Sequence, residues 1–501
     1  FSLRSFRACS IIRRSYSKRT QREGFGSFHS EDIEDLVRQS ADSYVLPEIY
    51  ENIIAQTDEK THELLSFGKP VKKSLFLIDN GWSFVNHGAF GATLAPILKE
   101  SNLWRQYCEI QPLRFFDREL FPLISYSIRE MANYLKCPPS ELYPLPNVTA
   151  GLNSVAQSFS LSLKKGDEVL CLSLTYGSTK KILSQLCVST GATLVIVHIP
   201  LPVLSEEDVL LRVSAALSPG RTKLVILDHI TSNTALVLPI KSLATACRSA
   251  GAVVVVDAAH TLFNQPVHLY RTLHDLYSIN NKNNSSIGVA NYADIWITNC
   301  HKWLCSPKGA AFMWLSPRVI YQMRPAIISH GFYLQEGSDR GYSEASKLLS
   351  GFVWDGCRDY SALLCVPSTL RFWTSFPQLP GQRSGGWEAC RFYSQNLVSQ
   401  ACEFLKVQWG LSEDDFAGPP AMRLGVAMVL VPLPAIVRGR NTRIGQTDVD
   451  AFQLQELLHH EHRIEVPVKC LEGKLFIRIS AHIYNSMEDY EHLARVVKSL
   501  H

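Results

Sequence analysis

The chain has 501 residues, of which 46% are hydrophobic and 19% charged, a composition that fits a folded globular protein and excludes a disordered or fibrous one. Its formal net charge is +4, yet residues 1–22 hold six Arg and one Lys without an acidic residue, so the remaining 43 basic side chains face 46 acidic ones. We therefore expect no nucleic-acid partner. No apolar run reaches the roughly 18 residues of a membrane helix, so no membrane partner is expected either.

The first 22 residues are rich in Arg and Ser and contain neither Asp nor Glu. This composition is typical of a mitochondrial transit peptide, although a disordered basic tail has the same features. The thirteen cysteines are scattered without a C-x-x-C pair, which favours neither a zinc site nor a disulfide framework, so no metal is expected. Free thiols fit a reducing compartment, and we predict the mitochondrial matrix, with the cytoplasm as the alternative.

The middle of the chain predicts a parallel sheet. After a helical segment at 23–80, and from about residue 145, the apolar runs "EVLCLSL", "TLVIVHIP", "KLVILDHI" and "AVVVVDAAH" alternate with stretches of helical periodicity. Continuous β-branched runs between helices are typical of parallel strands covered on both faces. We therefore predict an α/β fold with a mainly parallel, doubly wound sheet in a large domain, 81–375.

Two polar stretches interrupt this alternation. The Asn- and Ser-rich residues within 274–292 are predicted to be a surface insertion. The Pro- and Gly-rich residues 375–387 are predicted to be a loop or a domain junction. Helical and strand-like segments are mixed after this junction, so residues 376–501 are predicted to form a smaller α+β domain.

Polar residues stand where the predicted strands end, which is where open α/β sheets bind ligands. Thr149 is the predicted cap of a helix whose first turn opens with Ala150 and Gly151, and the exposed N–H groups of such a turn suit a phosphate. Asp257 ends one apolar run and is followed by His260, and Lys302 closes "DIWITNCHK" after the next run. Each has an ordinary interpretation, as a helix cap, a paired buried acid, a satisfied core histidine or a surface lysine. Together they are what pyridoxal phosphate requires: an amine, a carboxylate for the ring nitrogen and a phosphate seat.

The motifs "FVNHGAFG", "HKWL" with a following Pro and Gly, and "RIS" with a following "YN" occur in this order over about four-fifths of the chain. In this order they resemble the class V aminotransferase family of fold-type I pyridoxal-phosphate enzymes. The chain is most similar to the isopenicillin N epimerase-like branch, a relative of the cysteine desulfurases. The resemblance implies pyridoxal 5'-phosphate as cofactor and a large domain followed by a smaller α+β domain.

The resemblance also implies roles for individual residues. Lys302 matches the lysine that forms the Schiff base, Asp257 the partner of the pyridine nitrogen, and His260 a residue beside the cofactor's hydroxyl or imine. Ser232, with Asn233 as a near alternative, matches a side chain that reaches the ring hydroxyl. Further contacts with the ring face or the phosphate are implied for Thr149, Ala150, Tyr176, Asn299 and His301.

The substrate side of the site is implied in the same way. Arg478 matches the arginine that binds the substrate α-carboxylate, a role suited to its planar fork. Asn86 and His87 match a segment that lines the substrate pocket. The stretch "FVWDGCRDYS" resembles a loop that reaches the neighbouring subunit's cofactor phosphate, with Gly356 permitting close approach, Cys357 in place of the usual Thr, and Arg358 available to substrate or interface. A homodimer with a shared active site is therefore expected.

The family supports several reactions at the α-carbon of an amino acid, and the sequence narrows them. Desulfurases carry a nucleophilic Cys shortly before the carboxylate-binding arginine, but here that position is about Arg463, and we interpret Cys470 as structural. We therefore expect a C–S lyase of the cysteine desulfhydrase type, which needs no such thiol. The alternatives are an isopenicillin N epimerase-like epimerase, an aminotransferase, and a catalytically silent homologue that binds the cofactor.

Overall fold

The structure is a computed structural model. Residues 1–31 lie outside the described part, and with them the predicted transit segment and the first part of the predicted helical segment. Most of the predicted insertion and the middle of the Pro- and Gly-rich stretch lie outside it as well. The structure describes residues 32–57, 66–270, 288–332, 344–378, 385–434 and 447–500.

These ranges contain the following strands: β1 (Ser83–Phe84), β2 (Leu142–Leu145), β3 (Glu168–Leu172), β4 (Thr193–Val197), β5 (Thr222–Asp228), β6 (Val253–Asp257), β7 (Ile295–Asn299), β8 (Ala311–Leu315), β9 (Met428–Pro432), β10 (Ile464–Glu465), β11 (Val468–Leu471) and β12 (Lys474–Ser480).

The helices of the N-terminal part are α1 (Asp32–Arg38), α2 (Glu48–Ala55), α3 (Lys69–Leu75), α4 (His87–Phe90), α5 (Ala95–Ile110), α6 (Pro112–Arg114), α7 (Leu120–Leu135), α8 (Val148–Phe159), α9 (Gly177–Thr190), α10 (Glu206–Ala216) and α11 (Ile240–Ser249). A π-helical turn, Phe115–Glu119, joins α6 to α7. The later helices are α12 (Glu344–Val353), α13 (Ser361–Leu364), α14 (Val366–Thr374), α15 (Gly386–Trp409), α16 (Pro420–Arg423), α17 (Asp448–His462) and α18 (Met487–Ser499).

The central sheet has seven strands in the order β2-β8-β7-β6-β5-β3-β4. The pairs from β7 to β4 are parallel, and only β8 runs antiparallel to both of its neighbours. Strands β3, β7 and β8 are buried at every residue, whereas β4 lies at the edge and is largely exposed. This arrangement confirms the predicted α/β class, because only a parallel sheet covered on both faces needs uninterrupted apolar strands.

The start of α8 is fixed against the strand ends of this sheet. The cap of this helix is Asn147, whose side chain accepts the N–H of Ala150 at 2.9 Å, so the prediction of Thr149 as the cap is wrong and Thr149 lies in the first turn. The Oδ1 of Asn299, at the end of β7, accepts the N–H of Val148 at 3.1 Å. At Gly151, a Cβ would lie 2.7 Å from a methyl group of Leu145, so glycine lets the helix approach the sheet closely. The N–H groups of α8 therefore lie beside the end of β7.

The C-terminal part has its own small sheet, in which β12 pairs antiparallel with both β11 and β9. Its apolar cluster takes residues from α15, β9, α17, β12 and α18, separate from the larger cluster around the central sheet. The predicted boundary near residue 376 stays a prediction. None of the described helices combines the length and the apolar character that a bilayer span requires.

The segment from β1 to α4 connects the two clusters. The two-residue strand β1 pairs in parallel with β10, and Val85 belongs to the C-terminal cluster. A few residues later, Gly91 adopts φ +67° and lies directly against the chain at His301 and Lys302. A Cβ on Gly91 would lie 2.0 Å from the carbonyl oxygen of His301 and 2.7 Å from that of Lys302. The segment therefore fixes the backbone beneath Lys302.

We expect Gly91→Ala to lower the free energy of unfolding by about 2–3 kcal/mol more than Gly166→Ala does, because the new methyl group must displace backbone atoms. Gly166 is a matched control: it also has a positive φ, +99°, but nothing lies within 4 Å of its Cβ position. Both variants carry the cost of an alanine at positive φ, about 1–2 kcal/mol. Urea unfolding measures the difference. Equal midpoints for the two variants would show that the close contact at Gly91 is not a constraint.

Candidate active site

Three neighbouring strands bring polar residues to one edge of the sheet. Asp228 ends β5 and Asp257 ends β6, and the two residues lie opposite each other in the parallel register. Asp257 also lies opposite Ile297 of β7, and that strand leads into Lys302. Both aspartates are buried, at 3% and 5% exposure. The sheet thus places two carboxyl groups and an amine at the carboxyl ends of adjacent strands, where ligands bind in this class of fold.

Lys302 contacts His260 at the centre of this group. Its Nζ lies 3.1 Å from His260 Nε2, and the indole N–H of Trp303 donates to His260 Nδ1 at 3.3 Å. Because an indole nitrogen can only donate, Nδ1 accepts, and a neutral His260 must carry its proton on Nε2. Burial and the nearby cation of Lys302 hold the pKa of His260 well below its ordinary value. His260 is therefore a neutral donor directed at the lysine amine.

The surroundings of Lys302 favour its neutral form. Desolvation lowers the pKa of the Lys302 amine to about 8, against the opposing attraction of Asp257. Arg478 lowers this pKa further by repulsion, and Asp228 raises it. An amine with a pKa near 8 is partly neutral at physiological pH, unlike an ordinary lysine with a pKa near 10.4.

The two buried aspartates affect each other. Desolvation raises the pKa of Asp228 to about 7, and the neighbouring Asp257 adds to the increase. Desolvation also raises the pKa of Asp257, although its Oδ1 accepts the N–H of Ala259 at 3.0 Å and Lys302 attracts it. Asp228 Oδ1 accepts the N–H of Tyr176 at 3.3 Å, while its buried Oδ2 has no hydrogen-bond partner. The pair therefore carries less negative charge than two exposed aspartates would.

Buried side chains hold the backbone at Lys302 and Trp303. His87 Nε2 donates to the carbonyl oxygen of Lys302 at 3.0 Å, and His482 Nε2 donates to that of Trp303 at 3.3 Å. Cys305 Sγ lies 3.8 Å and 3.5 Å from these same two nitrogens. Such a His-Cys-His group has the donor types of a metal site. Both imidazole N–H groups are already used by carbonyl oxygens, so we interpret the group as a hydrogen-bonded clamp.

The side chains of His87 and Asn86 therefore point to different parts of the site. His87 is fully buried behind Lys302, with its Nδ1 2.8 Å from the hydroxyl of Tyr484, so its side chain supports the lysine backbone instead of facing a pocket. Asn86 is half-buried and contacts Arg478 through its Oδ1, at 3.3 Å. Of the two residues, the structure brings only Asn86 to the predicted substrate side.

Arg478 is a buried guanidinium with neutral partners. Its Nη1 donates to the carbonyl oxygen of Ser232 and its Nη2 to Asn86, while its buried Nε has no hydrogen-bond partner. In the part of the chain that the structure describes, no carboxylate forms an ion pair with it. Desolvation lowers its pKa to about 10, and the nearby hydroxyl of Tyr176 opposes this shift. A buried cation without a counter-ion is costly, so this site favours an anionic ligand.

The residues predicted to contact phosphate lie on one side of Lys302. Thr149 and Ala150 are in the first turn of α8, and Asn299 joins this turn to the end of β7. The Nδ1 of His301 is buried without a hydrogen-bond partner, and burial together with Lys302 lowers the pKa of His301 to about 4. The N–H groups of Val148 and Ala150 are already bonded to Asn299 and Asn147, so the unused ring nitrogen of His301 and the start of the helix are what this side offers to a phosphate.

Tyr176 and Ser232 lie near Arg478. Tyr176 precedes α9, is 45% exposed, and interacts electrostatically with the guanidinium. The contact of Ser232 with Arg478 is made by its backbone carbonyl. The hydroxyl contact that the resemblance implies for Ser232 stays a prediction, as does the stacking of Tyr176 on a ring.

The predicted interface loop lies on the surface against α5. Cys357 is exposed, Gly356 has φ +120° with nothing within 4 Å of its Cβ position, and Asp359 forms an ion pair with Arg105 at 2.7 Å. Arg358 pairs with Asp355 at 2.6 Å and stacks over Tyr360. Arg358 is therefore used within the chain, and the predicted contact of this loop with a second subunit stays a prediction.

Sequence reasoning missed Asp228, Trp303 and His482. Asp228 ends an apolar run as Asp257 does, so the signal "KLVILD" was present in the sequence. Trp303 follows Lys302 directly, but the sequence does not show that its indole N–H donates to Nδ1 of His260. His482 lies 179 residues from Trp303, and only the packing of the C-terminal part against the sheet brings the two together.

Comparisons with known proteins agree with this geometry. Residues 128–290 match the family model described as aminotransferase class-V. The chain is 28% identical over 442 residues to "Probable L-cysteine desulfhydrase, chloroplastic" of Arabidopsis thaliana, covering 84% of this chain and 83% of that protein. It is 26% identical over 428 residues to the isopenicillin N epimerase of Amycolatopsis lactamdurans, covering 84% of this chain and 96% of that protein.

A solved structure shows the same fold. A complex of the cystine C–S lyase C-DES with its reaction product, cysteine persulfide, superimposes with a TM-score of 0.60, covering 83% of this chain and 97% of that one at 18% identity. At this identity the likeness shows the fold alone. Together with the match of residues 128–290 to the aminotransferase class-V model, it confirms the resemblance that the motifs predicted, which is a resemblance to fold-type I enzymes that use pyridoxal phosphate.

Proposed function

We propose that the protein is a pyridoxal-phosphate-dependent C–S lyase that removes the sulfur substituent of cysteine or of a cysteine derivative by β-elimination. The observation that carries this proposal is the half-buried Lys302, whose amine lies 3.1 Å from His260 and is attracted by Asp257, with the guanidinium of Arg478 close enough to lower the pKa of the amine. A base that works near neutral pH and a carboxylate-binding cation are the two groups that such an enzyme must supply. The desulfhydrase name of the Arabidopsis relative supports this choice of reaction.

The described residues fit the cofactor. Lys302 would attach it, the buried carboxylate of Asp257 would face its ring nitrogen, and the first turn of α8 with the unused Nδ1 of His301 would hold its phosphate. When bound, the cofactor withdraws electrons from the α-carbon of the attached amino acid. The Oδ2 of Asp228, beside Asp257, has no hydrogen-bond partner and would favour a protonated ring nitrogen facing the two aspartates.

Lys302 is the base in this proposal. Desolvation supplies neutral amine near pH 7, and the N–H of His260 points at its lone pair. As a neutral base, this amine would accept the proton from the substrate α-carbon. The clamp formed by His87 and His482 fixes the backbone from which Lys302 extends, so the side chain needs little reorganisation.

Arg478 would bind and orient the substrate carboxylate. Its contacts with the Ser232 carbonyl and Asn86 fix the plane of the guanidinium, and they leave Nε free of any partner. A carboxylate would give this buried cation the counter-ion that it lacks among the described residues, and an Arg–carboxylate pair can form two parallel hydrogen bonds.

The thiols of the chain favour elimination over persulfide formation. A desulfurase needs a reactive thiolate, which requires a lowered pKa. Cys470 lies on β11 opposite Leu475, and burial raises its pKa instead. Within the described ranges, every cysteine whose pKa departs from the ordinary value has it raised by burial.

Two further proposals concern assembly and location. We propose a homodimer in which the surface loop with Gly356 and Cys357 reaches the partner's cofactor phosphate; the exposure of Cys357 supports it. We propose the mitochondrial matrix on the basis of the Arg-rich, acid-free residues 1–22. The name of the chloroplastic relative supports an organelle in general.

The function is tested by giving the purified holoenzyme L-cysteine and S-methyl-L-cysteine and measuring pyruvate, released thiol and the D-enantiomer of the substrate. We expect pyruvate and sulfide in equal amounts from cysteine, and no product from Lys302→Ala. Accumulation of the D-amino acid would favour an epimerase, the activity named for the Amycolatopsis relative. A keto acid that retains its sulfur would indicate transamination. Failure to bind the cofactor would overturn the proposal altogether.

We expect Cys470→Ala to retain most of the sulfide release from cysteine, because elimination uses no protein thiol and the pKa of Cys470 is raised. The measurement is the rate of sulfide formation with and without an external thiol. Cys187→Ala, which replaces another cysteine of raised pKa, is the matched control. Loss of release in Cys470→Ala alone would point to a persulfide on Cys470 and to a desulfurase.

We expect covalent attachment of pyridoxal phosphate to Lys302 in the apoprotein to accelerate as the pH rises to about 8 and to level off above it. Only the neutral amine attacks an aldehyde, and the amine is neutral above its pKa of about 8. The product is fixed with borohydride and the Lys302 peptide is quantified by mass spectrometry, with Lys302→Ala as the background. A rate that keeps rising to pH 10 would indicate an ordinary, solvated lysine.

A further inference from the structure

We propose that a cavity beside Asn86 binds an apolar, aromatic substituent on the sulfur of the substrate, so that the substrate class is S-substituted cysteines. The inference rests on the proposed lyase function. The cavity has a volume of about 330 Å³, and its apolar lining includes Ile78, Trp82, Phe84 and Phe90. We call it the Trp82 cavity.

The walls of the Trp82 cavity present mainly aromatic rings, and few hydrogen-bonding groups, to a ligand. Three of its polar residues are paired with one another: Asn86 Nδ2 donates to Glu465 at 3.2 Å, and the other oxygen of Glu465 lies 2.9 Å from His459 Nδ1. The fourth, Asp79, accepts the N–H of Gly81 at 2.8 Å. The indole of Trp82 lies against the His459 ring, with centroids 4.6 Å apart. A ligand group placed here gains apolar and aromatic contact, which suits a ring better than a polar chain.

The Trp82 cavity adjoins the candidate active site through Asn86. The Oδ1 of this residue contacts Arg478 Nη2 at 3.3 Å, while the same side chain lines the cavity. Gly91, at the end of the same short segment, packs on the backbone of Lys302. A substrate whose carboxylate binds Arg478 therefore lies next to the side chain that forms one wall of the cavity.

The size of the cavity argues against cysteine as the substrate that uses it. Small-molecule sites begin at roughly 300 Å³, whereas the side chain of cysteine ends at its sulfur atom. Phe90 is 75% exposed at this site, so its ring is available to a ligand. Covering such a ring gains free energy from the apolar area removed from water. The extra volume and the exposed ring are both explained by a substituent beyond the sulfur.

The chemistry needs only water as a co-reactant. For S-benzyl-L-cysteine, the Cα–H bond breaks with its proton taken by Lys302, the Cβ–S bond breaks, and the sulfur leaves as phenylmethanethiol after gaining a proton. Water then hydrolyses the remaining three-carbon amine to pyruvate and ammonia. No external oxidant or reductant is required.

The test compares S-benzyl-L-cysteine with L-cysteine as substrates of the holoenzyme, by pyruvate formation, in Phe90→Ala and in Phe452→Ala. Phe452 is a matched control, because it is 62% exposed on α17 and lies outside the cavity lining. The quantity compared is kcat/KM for S-benzyl-L-cysteine divided by kcat/KM for L-cysteine. We expect Phe90→Ala to lower this ratio at least tenfold, mainly by raising KM for the benzyl substrate. Phe452→Ala should leave this ratio unchanged.

A binding measurement separates the cavity from the chemistry. N-acetyl-S-benzyl-L-cysteine keeps the carboxylate and the ring, but its blocked nitrogen cannot join the cofactor, and calorimetry gives its Kd. We expect about tenfold weaker binding in Phe90→Ala. If both variants bind it equally and the ratio of kcat/KM is unchanged, the cavity proposal is overturned, even when cysteine is cleaved. If no pyruvate forms from either substrate while the acetylated compound still binds in a Phe90-dependent way, the lyase function fails and the cavity assignment stands.

Discussion

The protonation of the polar groups at the strand ends depends on the desolvation of the Lys302 amine. A lysine whose charge is poorly solvated costs free energy. This cost lowers the pKa of the amine to about 8, so the amine can lose its proton near neutral pH. The same burial raises the pKa values of Asp228 and Asp257. The three groups therefore hold fewer charges than their residue types suggest, and a small change in solvation alters their protonation.

The rest of the fold keeps this arrangement rigid. Parallel register fixes the two aspartates opposite each other, and His87 and His482 hold the carbonyl groups of Lys302 and Trp303. These two histidines come from distant segments, so the lysine backbone depends on the C-terminal part being docked. A catalytic amine on a loop between two strands needs such support, because a displacement of about 1 Å already impairs proton transfer.

The sequence predicted the class of the fold and the central pair of residues for a physical reason. Buried parallel strands read as uninterrupted apolar runs, so a polar residue at or just after the end of one is conspicuous, as Asp257 and Lys302 were. The roles of His87 and Trp303 could not be read in this way, because they depend on which side of a helix or loop faces the lysine. The Trp82 cavity was equally out of reach, since its walls come from segments about 380 residues apart.

The acid pair explains how one site can favour a positive ring nitrogen and a neutral lysine together. Both aspartates accept a backbone N–H, and Lys302 adds its attraction at Asp257, whereas desolvation and Asp257 raise the pKa of Asp228 to about 7. The pair therefore carries less than two negative charges, and the lysine favours keeping the remaining charge on Asp257. A protonated ring nitrogen opposite Asp257 would be held by that charge without drawing a proton from Lys302. The unequal protonation of the two aspartates would thus keep a proton on the ring nitrogen while the amine of Lys302 stays neutral and can act as the base.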